Sequence, residues 1–194
     1  MKVTEKNDKF LWLGNSPALD FVNTEVVHDG KAFELLADAG DLRAWLVRSR
    51  LVDSVDTELP QKALRTARDF RQELRAGLEA MVQNRKAPDS MMASINALLL
   101  RHTVAFRLHT QGRLFELKTD WIFRAPEDVC VPIALSFARM LSTVDLGRVR
   151  RCKNPDCVLY FYDTSKSGTR SWCSLKICGD KLRMAAFRRK LADK

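Results

Sequence analysis

An α+β fold is predicted: a mostly helical N-terminal domain carrying one β-hairpin, then a small cysteine-bearing module at the C-terminus. Three observations predict it. Apolar residues recur every three or four positions over most of residues 60–143. One pair of alternating runs interrupts that pattern around Gly112. Four of the five cysteines, and all of the net charge, fall in the last quarter of the chain.

Taken in order, Phe10 to Gly14 is a short apolar stretch ended by the turn-prone Gly14-Asn15-Ser16-Pro17. Leu19 to Thr24 begins a helix that Asp29-Gly30 interrupts. Asp41 reads as an N-cap for a helix placing Leu42, Trp45 and Leu46 on one face. The clearest helix runs from about Pro60 to Arg85, with Leu64, Ala67, Phe70 or Arg71, Leu74, Leu78 and Met81 or Val82 on its apolar face and Arg65, Arg68, Arg75 and Glu79 facing away. Pro88 and Asp89 lead into another through Ile95, Leu98, Leu99 and His102. Thr103–His109 and Arg113–Lys118 alternate as strands around Thr110-Gln111-Gly112, and Trp121 extends the second. A further helix runs from about Pro126 to Thr143, and Leu146-Gly147-Arg148 marks a boundary. Two domains are expected, 1–146 and 147–194.

Charge sharpens that division. Residues 1–147 hold 20 Lys/Arg and 20 Asp/Glu, whereas residues 148–194 hold 13 Lys/Arg against four Asp/Glu. The whole excess of +9 sits in the last segment. There it is interleaved with Cys, Trp, Tyr and Phe, which solvated tails seldom contain, so a folded polyanion-binding module is expected. The first residues alternate charges without the apolar core of a secretory signal, and no apolar run approaches the roughly 20 residues of a membrane span. A soluble, cytoplasmic protein with no membrane partner is expected.

The cysteine pattern is Cys152-x4-Cys157, fifteen residues, then Cys173-x4-Cys178. Four thiolates complete a tetrahedron around Zn²⁺ and leave no position open for water, so one structural zinc is expected. Asn154-Pro155-Asp156 supplies turn chemistry between the first pair. Two disulfides are the rival reading, and the absence of a secretion signal and the odd fifth cysteine weigh against them. An iron–sulfur cluster needs the same ligand count, but the spacing matches neither ferredoxin run. Cys130, set among Val129, Val131 and Ile133, reads as a small core residue. Val158–Tyr162 reads as a strand, Asp163–Gly168 as a turn, and Thr169–Trp172 as the return to the third cysteine. A helix from Ser174 to about Leu191 follows, completing a treble-clef-like finger.

These residues resemble a known family. Cys152-x4-Cys157, Phe161, Asp163, Ser165, Arg170, Trp172-Cys173-Ser174 and Cys178-Gly179 are similar to the CGNR zinc finger, and Leu19–Thr24 with Asp41-Leu42-x-x-Trp45-Leu46 resemble the ABATE domain that precedes it. The resemblance covers nearly the whole chain and implies a bacterial, stress-linked transcription regulator. The name-giving motif departs here to Cys178-Gly179-Asp180-Lys181, where Lys keeps the charge of Arg but loses its planar fork.

On a helical wheel, Leu175, Cys178, Leu182, Ala185 and Ala186 share one side, Lys176, Arg183 and Lys190 line one flank, and Lys181 and Arg188 another. With Arg189, Lys166 and Arg170, these are the candidate nucleic-acid contacts, double-stranded DNA being the expected partner. An RNA-binding or ribosome-associated protein is the alternative, because Tyr160, Phe161, Tyr162 and Trp172 could stack bases. A protein-interaction finger is a second. One small finger gives modest specificity, which a homodimer through the first domain would raise. Asp20, Asn23 and Thr24 form the most distinctive polar cluster there: either caps and buried hydrogen bonds, or a pocket for an unknown effector. The sequence holds no H-E-x-x-H, Gly-rich phosphate loop or nucleophile–base signature, so no enzyme is expected.

Overall fold

The computed structural model describes residues 8–28, 30–55, 57–84, 86–101 and 103–180. Pro17 at the first helical position starts α1 (Pro17–Val22). The chain then turns at Gly30 (φ +74°) into a hairpin of β1 (Glu25–His28) and β2 (Lys31–Glu34), with Val26 opposite Phe33. The expected α1 is therefore shorter than its apolar pattern allowed, because Val26-Val27 and Ala32-Phe33 flank Asp29-Gly30 as strands.

Helix α2 (Ala39–Arg48) is capped by Asp38, not by Asp41. Asp38 Oδ1 accepts from Asp41 N–H at 2.8 Å, while the Asp41 carboxylate reaches back to Asp38 N–H. That reciprocal capping box moves the start three residues upstream of the expected one. Helix α3 (Gln61–Asn84) runs through the centre, burying the expected face from Leu64 to Met81. Helix α4 (Asp89–Leu99) crosses it at Gly77, where any Cβ would collide with the Met91 side chain.

Strands β3 (Val104–Gln111) and β4 (Leu114–Trp121) form the expected hairpin, longer than its alternating core because Thr110 and Gln111 continue the strand. The turn falls on Gly112, at φ +65°. A 3₁₀ turn (Pro126–Cys130) leads into α5 (Val131–Thr143). Beyond a second 3₁₀ turn (Leu146–Arg148), β5 (Val149–Arg151) pairs antiparallel with β6 (Tyr160–Tyr162). The partner of β6 is thus upstream, not the expected return through Thr169–Trp172.

The main core surrounds Trp45, which packs on Phe21 (5.2 Å between centroids) and stacks on Trp12 (6.1 Å). It gathers buried residues of α1, α2, α3, α4 and α5, takes in Cys130 from the 3₁₀ turn, and extends to Val149 and Tyr160. Arg71 is buried within it, its guanidinium donating to Glu34 (2.7 Å) and to Thr24 Oγ1 (2.9 Å), which ties β2 to α3. No helix among the described residues is long and apolar enough to cross a membrane.

Candidate metal centre and its junction with the helical body

Two short hinges bring the four cysteines together. The first closes when Cys157 N–H donates to Asn154 C=O at 2.9 Å, and Cys152 N–H donates across to Leu159 C=O at 2.9 Å. The second is a wide helical turn (Leu175–Gly179) that Ser174 caps, its carbonyl accepting from Cys178 N–H at 3.0 Å and its hydroxyl from Ile177 N–H. Gly179 fits because a Cβ there would press within 3.2 Å of the Trp172 ring.

All four Sγ atoms lie within 4.8 Å of one another and all four residues are buried. Cys157 and Cys173 sulfurs are 3.8 Å apart, and those of Cys173 and Cys178 are 3.6 Å apart. A zinc tetrahedron with Zn–S near 2.3 Å has S···S edges of about 3.8 Å, whereas a disulfide needs about 2.05 Å. The cysteines are free thiols, so the disulfide reading fails and the donor set fits zinc.

The surroundings favour thiolate. Asn154 Nδ2 donates to Cys178 Sγ and Cys173 N–H to Cys152 Sγ, each at 3.4 Å. Such donors orient and partly neutralise metal-bound sulfur. Proximity alone splits the thiols. Hydrogen bonding from the Cys157 and Cys173 thiols draws Cys152 down, and the reciprocal hydrogen bond with Cys152 pushes Cys157 up. Zn²⁺ held by Cys152, Cys157, Cys173 and Cys178 would favour the thiolate form of all four and would supply a structural cross-link.

Arg170, expected at a phosphate, is turned inward. Its guanidinium lies over the Phe161 ring (4.4 Å to the centroid) and donates to the carbonyls of Trp172 (Nε, 2.8 Å) and Cys173. Its own N–H goes to Asp163 Oδ2 at 2.8 Å. Asp163 is fully buried, and also accepts from Ser165 N–H (2.9 Å) and Ser165 Oγ (2.6 Å). Burial raises its carboxyl, but the hydrogen bonds from Ser165 and Arg170 and the nearby Arg150 outweigh it and hold the group below the usual carboxylate range. Arg148 donates to the carbonyls of Asp163 (3.2 Å) and Ser165 (2.9 Å), and Arg150 to Gly168 C=O at 2.6 Å. Part of the basic charge therefore braces the finger's own loop.

Lys166 and Lys176 are exposed. Lys181, Arg183, Arg188, Arg189 and Lys190 lie outside the described residues, as do Leu182, Ala185 and Ala186. Leu175, expected to pack beside Cys178, is 66% exposed, because the wide turn rotates it away from the knuckle. Among the candidate stacking aromatics, Tyr160 and Phe161 are buried and Tyr162 and Trp172 half-buried.

The Asp20, Asn23 and Thr24 cluster spends its polar atoms inside the fold. Asn23 Nδ2 donates to Tyr160 C=O (2.8 Å) and its Oδ1 accepts from Tyr160 N–H (2.9 Å). Asp20 accepts from Gly14 N–H at 2.7 Å, and Thr24 donates to Phe21 C=O while receiving Arg71. Of the two readings, buried hydrogen bonding is the one these distances support. Asn23 acts as one rung of a joint. Tyr162 N–H donates to Gly14 C=O (2.8 Å), Asn15 Nδ2 to Tyr162 C=O (2.9 Å), and Arg75 to the carbonyls of Val158 (3.1 Å) and Val22 (2.6 Å). Tyr160 OH donates to Glu79 at 2.6 Å. Sequence reasoning missed Arg75 and Glu79 as parts of this assembly; Asn154 and Asp163 carried a signal as turn formers, and Asp163 also as a position of the finger resemblance.

A closed four-thiolate site on two hinges defines a structural zinc-finger protein holding one zinc. The chain belongs to the ABATE family, described as "Putative stress-induced transcription regulator", whose model matches residues 15–144. A CGNR zinc finger model matches residues 148–190. These are regulator and zinc-finger families rather than enzyme families. No curated protein matches the chain.

Proposed function

We propose that this zinc-finger regulator binds double-stranded DNA through residues 147–194 and that residues 1–146 sense an effector, bind a partner or pair two copies, in the cytoplasm. The observation carrying the proposal is the pairing of a closed metal cross-link with the whole positive excess of the chain in one segment. A rigid cationic module of this kind suits phosphate contacts, which set affinity and register. Lys166, Lys176, Lys181, Arg183, Arg188, Arg189 and Lys190 are the proposed contacts. Arg170 contributes through its brace on Cys173.

The RNA reading is less favoured, because Tyr160 and Phe161 lack the open faces that base stacking requires. A protein-interaction finger draws support from Leu175 and Ile177, both exposed beside the fourth ligand. The test is salt-dependent binding of the zinc-loaded chain to duplex DNA in competition with single-stranded RNA. Neutralising about 4–6 phosphates gives a log–log slope of about −4 to −5. Preference for the single strand would reverse the assignment, and partner loss without DNA loss in Arg183→Glu would favour the protein-binding finger.

A further inference from the structure

The β3–β4 hairpin is a two-stranded arm whose register separates two faces. Ala105, Arg107, His109, Glu116, Lys118 and Asp120 lie on one face, where Arg107 pairs with Asp120 at 2.8 Å and Lys118 with Glu116 at 3.5 Å. The other face holds three successive cross-strand rows: Phe106 with Thr119, Leu108 with Leu117, and Thr110 with Phe115. Its large side chains face solvent, with Phe106 70%, Leu108 65%, Phe115 72% and Leu117 66% exposed. A lone hairpin of this kind is marginal in water, and a contiguous apolar patch of this size marks an interaction surface.

We propose that this face is the homodimer interface, covered by the same face of a second copy. The pattern itself selects the occupant. The two Phe residues sit at diagonal corners and the two Thr residues at the other two, about a central Leu pair. Laying a copy face to face by a twofold axis, along the strands or across them, sets every Phe against a Thr and every Leu against a Leu. Large against small is how packed layers interdigitate, and an isologous contact demands such self-complementarity.

Area agrees. Four Phe and Leu side chains at these exposures offer roughly 500 Å² per copy, so a pair buries about 1,000 Å², near the lower limit for a specific interface. The same face continues at its base into a groove of about 920 Å³ whose lining includes Val104, Trp121, Pro132, Leu135 and Met140, which gives the interface room to extend. On the back face the paired charges cancel, leaving no cationic field for an anionic lipid surface or a nucleic acid.

The inference deepens the pairing role in the proposed regulator, and its test uses no nucleic acid, so the two fail separately. Sedimentation of the zinc-loaded full chain, 22.2 kDa as a monomer, should show a dimer at micromolar concentration. Phe106→Glu with Phe115→Glu should weaken association at least about tenfold. Leu114→Glu, equally exposed but on the opposite face, should leave it unchanged, with zinc content and helicity equal in all three proteins. A monomer up to about 100 μM, a Phe variant that associates like the parent, an equal loss in Leu114→Glu, or partition onto zwitterionic vesicles in place of self-association would each overturn it. A monomer that still binds DNA sinks this inference alone; a dimer indifferent to DNA sinks the regulator reading alone.

Discussion

Asn23 satisfies both backbone groups of a residue 137 positions away, as a paired strand would. Asn23→Ala leaves a buried N–H and a buried C=O of Tyr160 without partners, at about 1–3 kcal/mol each. Urea denaturation should show a loss of about 2–6 kcal/mol, and a near-parental midpoint would mean that the joint is not built as described. Asp20 behaves differently. Burial pushes its carboxyl up to about 7, against the pull of the Gly14 and Leu13 N–H groups. Between its ordinary value of 3.8 and about 7, the folded chain holds a proton that the unfolded chain has lost. Stability from this group therefore falls as pH rises through that window, by up to about 1.4 kcal/mol per pH unit. Asp20→Asn keeps an acceptor for Gly14 and removes the titration, so the variant should be the more stable at pH 8, with a flatter pH profile. A profile as steep as the parent's would place the titration elsewhere.

Elements were legible in the sequence where a period had room to repeat. Helices α3, α4 and α5 and the β3–β4 hairpin followed from apolar spacing and from the turn residues between the runs. The β1–β2 hairpin did not, because four-residue strands give little alternation and Asp29-Gly30 in sequence reads equally as a break in a helix. The helix expected from Ser174 onward shows the limit of wheel arithmetic at its described start: 100° per residue assumes a regular helix, and the wide turn at Leu175–Gly179 breaks that assumption. In the finger, two basic residues that look alike in sequence separate in role. Arg170→Lys loses the fork that grips the carbonyls of Trp172 and Cys173, so zinc should leave to a chelator several-fold faster. Lys166→Ala should leave zinc release unchanged and lower the magnitude of the DNA salt slope by about 1. Equal chelation rates in the parent and the Arg170 variant would show that the brace does not serve the metal.

Across the whole molecule, the metal ligands were readable and their setting was not. Four cysteines declare themselves by local spacing, whereas the bonds from Asn15, Asn23, Arg75 and Glu79 into β6 join segments that no periodicity links. The finger shares its core with the helical body through Val149 and Tyr160, so metal loss should be felt beyond the finger. Chelation should lower the melting temperature of the full chain by several degrees. An unchanged main transition would show that the helical body stands independently of the finger.

The most direct test of the account is zinc content, measured on the purified chain and on Cys152→Ser and Cys173→Ser. Four converging thiolates predict one zinc per parent chain and substoichiometric zinc in both variants, with the N-terminal helices retained. Full zinc occupancy in both variants, or a metal-free parent with its cysteines joined as disulfides, would contradict it.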